Sequence, residues 1–229
     1  MTLAQRSLVE EQMDDPALPE NEYAALLADL AQVNTLTMAS RPTLAFLNRI
    51  ARPGARLKLL DVGFGHGDML RRVARWAERS DVTVELVGID LNPRSAPVAR
   101  AATPAELPIT FRTGDYADLA GHGWDAVISS LVAHHMSEDQ LVAFLRFMEA
   151  EARLGWLVND LHRHALAYHG YPWLARAMGW HRIVREDGQL SIARSYRPAE
   201  WPPILALAGI VGAEAARHFP FRLCVTRVR

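Results

Sequence analysis

The chain has 229 residues, half of them hydrophobic, with 25 basic and 26 acidic side chains and a formal net charge of −1. That balance gives no electrostatic ground for a nucleic-acid partner or an anionic membrane surface. Cys224 is the single cysteine, which excludes an intrachain disulfide and a cysteine-built zinc site. The length suits one domain with an apolar core. The first residues lack a signal-peptide pattern and no apolar run reaches the width of a bilayer, so a soluble, cytoplasmic protein is expected.

Residues 1–52 read as a helical cap or lid set apart from the rest. The acidic stretch Glu10 to Asp15 ends at the turn residue Pro16. Tyr23, Leu26, Leu27, Leu30 and Val33 share one face of a helix predicted over Glu20 to Val33. A second helix, Thr43 to Ile50, runs into the turn Arg52-Pro53-Gly54.

From residue 53 onward, strands and helices alternate. Leu57 to Val62 is too apolar to alternate, as expected of a strand buried on both faces. The turn Asp61-Val62-Gly63-Phe64-Gly65-His66-Gly67 follows, with three glycines at alternate positions that let a backbone approach a ligand closely. A dinucleotide fingerprint would need glycine at Asp68, and the phosphate-loop Gly-Lys-Ser/Thr is missing. Asp68 to Arg79 is an amphipathic helix with Leu70, Val73, Trp76 and Ala77 inward and Arg71, Arg72, Arg75 and Arg79 toward water. Strand Val82 to Ile89 closes on Asp90. An acid at that place can accept both ribose hydroxyls of an adenosine, or simply cap the next helix.

A short helix, Pro93 to Ala102, is interrupted by Pro97. A strand over Ile109 to Arg112 then leads to Asp115 and Tyr116. The fourth strand, Trp124 to Ser130, ends in His134-His135 before a helix capped by Ser137 and Gln140. Strand Gly155 to Leu161 empties into Asn159-Asp160-Leu161-His162-Arg163-His164, with Tyr168 and His169 close behind. His162-x-His164 lacks an assured third ligand, so no metal is expected. An Asp160 that orients a histidine base is more economical. An aromatic helix over Tyr171 to Trp180, with Trp173 and Leu174, interrupts the rhythm within an insertion at about 162–185. Asp187-Gly188 reads as a turn, Ser191 to Tyr196 as extended, and Pro198 to Leu207 as a helix. A final hairpin pairs Ala213 to Arg217 with Phe221 to Arg227.

An acid at the first strand's end followed by Gly-x-Gly-x-Gly resembles motif I of the class I S-adenosylmethionine-dependent methyltransferases. Gly88-Ile89-Asp90-Leu91-Asn92 is similar to the family pattern after it. His66 departs from the family's commoner small residue. Asn34, Ser40 and Arg41 resemble a short signature ahead of motif I in ubiquinone/menaquinone-biosynthesis methyltransferases. The resemblance implies an α/β, Rossmann-like fold over residues 53–229, with a seven-stranded, mostly parallel sheet, a final antiparallel hairpin and the N-terminal cap. It implies S-adenosyl-L-methionine as methyl donor and S-adenosyl-L-homocysteine as product, held by Asp61, Gly63, Gly65, Gly67, Asp90, Leu91, Asp115, Tyr116 and Arg41. Asp115 would meet the adenine amino group, or else only shape its turn.

A histidine pair after the fourth strand is frequent in the family's small-molecule branch, and the Pro-Pro motif of nucleic-acid amino-methyltransferases is missing. The expected acceptor is therefore a small aromatic molecule (phenol, quinol or aromatic polyketide) of secondary metabolism. Oxygen methylation would use His134, His135, His162 and Asp160, with Arg163, Tyr168 and Trp173 at the acceptor. Carbon methylation of a quinone-like ring and cofactor binding without catalysis are the alternatives. Neither nucleic acid nor membrane is an expected partner, and the oligomeric expectation is a monomer or homodimer.

Overall fold

A computed structural model describes residues 3–229; the first two residues of the expected cap lie outside the described ones. Two helices come first, α1 (Glu20–Leu36) and α2 (Ser40–Ile50). They are followed by β1 (Arg56–Val62), α3 (Asp68–Arg79), β2 (Thr83–Asp90), α4 (Ser95–Ala101), β3 (Ile109–Thr113), β4 (Ala126–Ser130), α5 (Glu138–Glu151) and β5 (Gly155–Leu161). After β5 come α6 (Ala165–Ala177), α7 (Arg182–Arg194), α8 (Trp201–Ala208), β6 (Glu214–His218) and β7 (Arg222–Val228).

The strands form one sheet in the order β3-β2-β1-β4-β5-β7-β6. β1 to β5 run parallel, and β7 is antiparallel to both β5 and β6. Strand order reverses between β1 and β4, where open parallel sheets leave a crevice beyond their carboxyl ends.

Helices cover both faces because parallel strands need both sides buried. On one face Leu70, Val73 and Trp76 of α3 pack with Leu57 and Leu59 of β1 and Phe46 of α2. The Trp76 indole N–H donates to Asn48 Oδ1 at 2.7 Å, which ties α2 to α3. On the other face Leu141, Phe144, Leu145 and Met148 of α5 meet Trp201 and Ile204 of α8 over Val127 and Val158. Ser137 and Gln140 close α5 with a capping box, as their spacing requires. A third cluster joins Leu26 of α1 to Ala175, Trp180, Ile183 and Val184. Among the described residues, no helix is long and apolar enough to cross a membrane.

Four local expectations need correction. Arg71 does not face water: it is buried, and its guanidinium donates to His66 O at 2.8 Å and Thr103 Oγ1 at 3.1 Å. Pro97 interrupts nothing, because α4 begins at Ser95 and a first-turn residue has no intrahelical acceptor for its N–H. The aromatic helix starts at Ala165 rather than Tyr171, since His164 Nδ1 accepts the Leu166 N–H and caps it. Asp187-Gly188 and Ser191 to Arg194 are helical, all within α7. Gly188 is there for close packing: a Cβ on it would lie 2.3 Å from the Tyr171 ring. Asp187 accepts the backbone N–H groups of Gln12 (3.1 Å) and Met13 (2.9 Å), so a tertiary contact overrides its turn tendency.

Gly188→Ala should lower stability by about 1–3 kcal/mol, the usual cost of forcing an extra group into a filled contact. Thermal or urea unfolding would check this, and an unchanged midpoint would mean that Tyr171 moves freely.

Candidate active site

The crevice is a cavity of about 760 Å³, walled by the loops after β1, β2, β4 and β5 and roofed by α1, α6 and α7. Gly63 and Gly65 line it with positive φ angles of 77° and 52°. A Cβ on Gly63 would lie 2.2 Å from Val132 Cγ2. Gly67 does not line the cavity; it keeps α3 close to the sheet, where a Cβ would be 2.8 Å from the Phe111 ring.

Asp90 Oδ2 accepts the Gly65 N–H at 3.0 Å and Oδ1 the Asn92 N–H at 2.9 Å. Its carboxylate is thereby fixed in the cavity wall. Burial raises its pKa, against the two backbone hydrogen bonds. Leu91 and Tyr116 also line the wall, and the Tyr116 ring lies on Phe144 and Phe147 at 4.9 and 4.8 Å. Asp61 is 1% exposed, and neither carboxylate oxygen has a hydrogen-bond partner. Burial, then the charges of Asp68 and Asp90, push it up to about 8. An unpartnered acid in a cavity wall is costly unless a cationic or hydrogen-bond-donating ligand meets it. The open glycine cradle, the fixed Asp90 and the orphaned Asp61 suit a ligand with an adenosine and a cationic amine.

At the other end of the cavity stand His134 and His135, with ring centroids 4.3 Å apart. Asp160 Oδ2 accepts the His134 backbone N–H at 2.9 Å, and Oδ1 lies 2.7 Å from the ring Nδ1. This contact puts the proton on Nδ1 and leaves Nε2 toward Glu11, 3.5 Å from its Oε1. His135 Nδ1 is held by Asp14 Oδ2 at 3.0 Å, with Nε2 3.9 Å from Glu11 Oε2. Burial disfavours an imidazolium at His134, but Asp160 and then Glu11 outweigh it and raise its pKa to about 9. Burial would raise the Glu11 pKa, yet its contact with His134 holds it below the usual carboxylate range.

Residues 59–153 match a family model described as a methyltransferase domain. That stretch is thus similar to a methyltransferase domain. The chain is 32% identical over 143 residues to the "Probable fatty acid methyltransferase Rv3720" of Mycobacterium tuberculosis, covering 61% of this chain and 31% of that protein. The chain thus spans less than a third of that relative's length. Human N-acetylserotonin methyltransferase, solved with S-adenosylmethionine, has a similar fold: TM-score 0.64, 14% identity, 92% of this chain and 56% of that one. Magnesium protoporphyrin IX methyltransferase of Synechocystis PCC 6803, solved with S-adenosylhomocysteine, gives a TM-score of 0.56 at 18% identity over 94% and 89% of the two chains. The plantazolicin methyltransferase BpumL gives 0.65 at 12% identity over 94% and 91%.

Several expected site residues lie elsewhere in the chain. Asp115 is exposed, and its Oδ1 accepts the Ala117 N–H at 2.9 Å, capping the short helical turn that begins at Tyr116; Gly114 and Tyr116 line the cavity and Asp115 does not. Arg41 sits exposed on the first turn of α2, off the cavity, because Pro42 and Thr43 take the inward face; Asn34 does line the wall. His162 lies outside the cavity, held by its N–H to Phe221 O at 2.9 Å and an isolated bridge to Tyr196. Arg163 is 1% exposed, and its fork serves Ser195 O (2.8 Å), Leu3 O (3.1 Å) and Glu200 Oε1 (2.5 Å) as an internal clasp. Tyr168 and Trp173 face away from the cavity, Trp173 at 74% exposure, while Tyr171 and Leu174 of the same helix line it. His164 caps α6, and His169 is exposed beside Tyr168.

Sequence reasoning missed Glu11, Asp14, Arg194 and Arg222. The only signal for the first two was the acidic stretch before Pro16, which a turn explains equally well. Arg194 joins them from α7, its Nε 3.8 Å from Glu11 Oε1 and 3.2 Å from His134 O.

Asp160→Asn should move the His134 titration midpoint downward from about 9, since it removes the largest raising influence on the imidazolium. Imidazole nitrogen NMR across pH 5–10 would read the shift; an unmoved midpoint would detach Asp160 from His134.

Proposed function

We propose that this protein methylates an oxygen of a small aromatic acceptor (a phenol, quinol or aromatic polyketide) with S-adenosyl-L-methionine as donor. The observation that carries this reading is His134, a cavity-lining histidine whose Nδ1 is tied to a buried carboxylate while Nε2 lies 3.5 Å from Glu11 Oε1. Bound S-adenosylmethionine would supply a methyl group already activated on a sulfonium. The chain's own work is then to position the acceptor oxygen and to take its proton.

Asp61, Gly63, Gly65, Asp90, Leu91 and Tyr116 would hold the donor. A phenol with a pKa of about 10 is only about one part in a thousand ionised at neutral pH. With a pKa of about 9, His134 is itself mostly protonated at neutral pH, so its service as a base would grow as pH rises toward 9. Asp160 would stabilise the imidazolium as it forms. Leu30, Val33, Leu166, Tyr171 and Leu174 would shape an apolar acceptor pocket. The residues before α2 bring Glu11 and Asp14 to the histidines, which supports assigning the region 1–52 as the acceptor lid. Two of the structural relatives are named for the small-molecule acceptors N-acetylserotonin and magnesium protoporphyrin IX. A place in secondary metabolism is the corresponding expectation.

Methyl-labelled S-adenosylmethionine offered with phenols, quinols and aromatic polyketides should leave label on oxygen, as read by mass spectrometry with fragmentation. Label on ring carbon would move the protein to quinone-type chemistry, and bound donor without transfer to any acceptor would make it a non-catalytic binder. His134→Gln should lower kcat by about 10²–10⁴-fold with donor affinity within a few-fold. Turnover should rise with pH and level off above about 9, since His134 has to be neutral to accept a proton.

A further inference from the structure

Arg222 is the first residue of β7, is 2% exposed, and lines the cavity. Its Nη2 donates to Asn34 Oδ1 at 3.4 Å, whereas its Nη1 is buried without any partner. The other buried arginines are satisfied. Arg163 has Ser195 O and Glu200, Arg194 has His134 O and Glu11, and Arg71 has His66 and Thr103. Among the described residues, no carboxylate lies within ion-pair distance of Arg222. A buried guanidinium in that state costs free energy that an apolar residue would not.

Register shows what it faces. Arg222 opposes Leu161 of β5, and Asn159, two residues back on the same face, pairs with Ser130 of β4. Ile128, two before Ser130, pairs with Asp61 of β1. Alternation therefore puts Asp61, Ser130 and Arg222 on one face of the sheet. All three line the cavity, and all three have unpartnered polar atoms. A two-pronged guanidinium recognises a carboxylate geometrically as well as by charge.

We propose that Arg222, steered by Asn34, is a carboxylate-binding subsite of the cavity. The subsite rests on the reading of this cavity as a donor and acceptor site. Two molecules can present the group there: the methyl donor, through its amino-acid carboxylate, or an acceptor that bears an acid. The chemistry is the same in both, and binding experiments separate them.

Calorimetry on the whole chain would compare S-adenosylhomocysteine with its analogue that keeps the amine but lacks the carboxylate. Thermal-shift titrations would compare 2,4-dihydroxybenzoate with resorcinol. Wild type should prefer the carboxylate-bearing member of one pair by about 10- to 100-fold, the range of a charged hydrogen-bonded contact. Arg222→Met should erase that preference and leave affinity for the neutral member within about two-fold. Loss of preference within the first pair assigns the subsite to the donor, and loss within the second assigns it to an acidic acceptor. Arg222→Met should also keep or raise the melting temperature of the unliganded protein, since it removes an unpaired buried charge. A structural arginine would instead lower it and weaken both members of each pair equally. Either that result or an unchanged preference in both pairs overturns the proposal. Failure of wild type to bind S-adenosylhomocysteine at all overturns the donor reading by itself, because the acid pair is still scored independently.

Discussion

The Asp160 carboxylate is the contact on which the His134 end of the cavity depends. It is fully enclosed and accepts from the His134 backbone N–H, the His134 ring and the Leu161 N–H. A buried charge persists only when it is paired and hydrogen-bonded, and these contacts hold its pKa below the usual range against burial. In one group they lock the β4 loop onto the end of β5, choose the histidine tautomer, and leave Nε2 toward Glu11. Glu11 then approaches the outer side of the ring, so His134 lies between two carboxylates that belong to distant parts of the chain. Arg194 joins this layer from α7, and Arg6 reaches the His134 carbonyl at 3.2 Å. The roof is thus held by charge over a floor held by apolar packing.

Much of the architecture could be read in the sequence because its causes are local and periodic. Buried apolar runs marked β1 and β5, the 3.6-residue spacing marked α1 and α3, and Ser137 with Gln140 marked the start of α5. The glycine turn and Asp90 were legible because their spacing is itself the chemistry. Where reading failed, tertiary contact outweighed local preference. Asp187-Gly188 has turn composition, but the Tyr171 ring needs the missing Cβ and the N-terminal strap needs the carboxylate. Arg71 belongs to a run of arginines that looks solvated, yet the loop carbonyl of His66 takes it inward.

The polar residues after β5 were the hardest to place, for a geometric reason. β5 ends in a row of polar side chains, and strand alternation sends only some of them to the cavity. Asp160 reaches His134, Leu161 lines the cavity, and His162 and Arg163 leave it. In α6, likewise, Trp173 faces water while Tyr171 and Leu174 face in. Knowing that a helix is aromatic does not say which way each ring points until its neighbours are known. Glu11 and Asp14 are more than 100 residues from the histidines they meet, and no local pattern connects them.

The unsatisfied groups describe the ligand by its complement. Asp61 lacks a donor, Arg222 lacks an acceptor, and Ser130 has no partner, while the walls formed by Leu30, Leu166 and Leu174 are apolar. Each orphaned polar group costs the empty protein about 1–3 kcal/mol. The fold carries that burden because apolar packing on both faces of the sheet is extensive enough to bear it. What relieves it must bring a cation to β1, an anion toward β7, and an apolar body beneath α1 and α6. A single apolar molecule would leave the charges stranded, and a single zwitterion would leave the apolar walls wet. On the proposed reading these features would be met by two different molecules held side by side, the second presenting its reacting atom near His134.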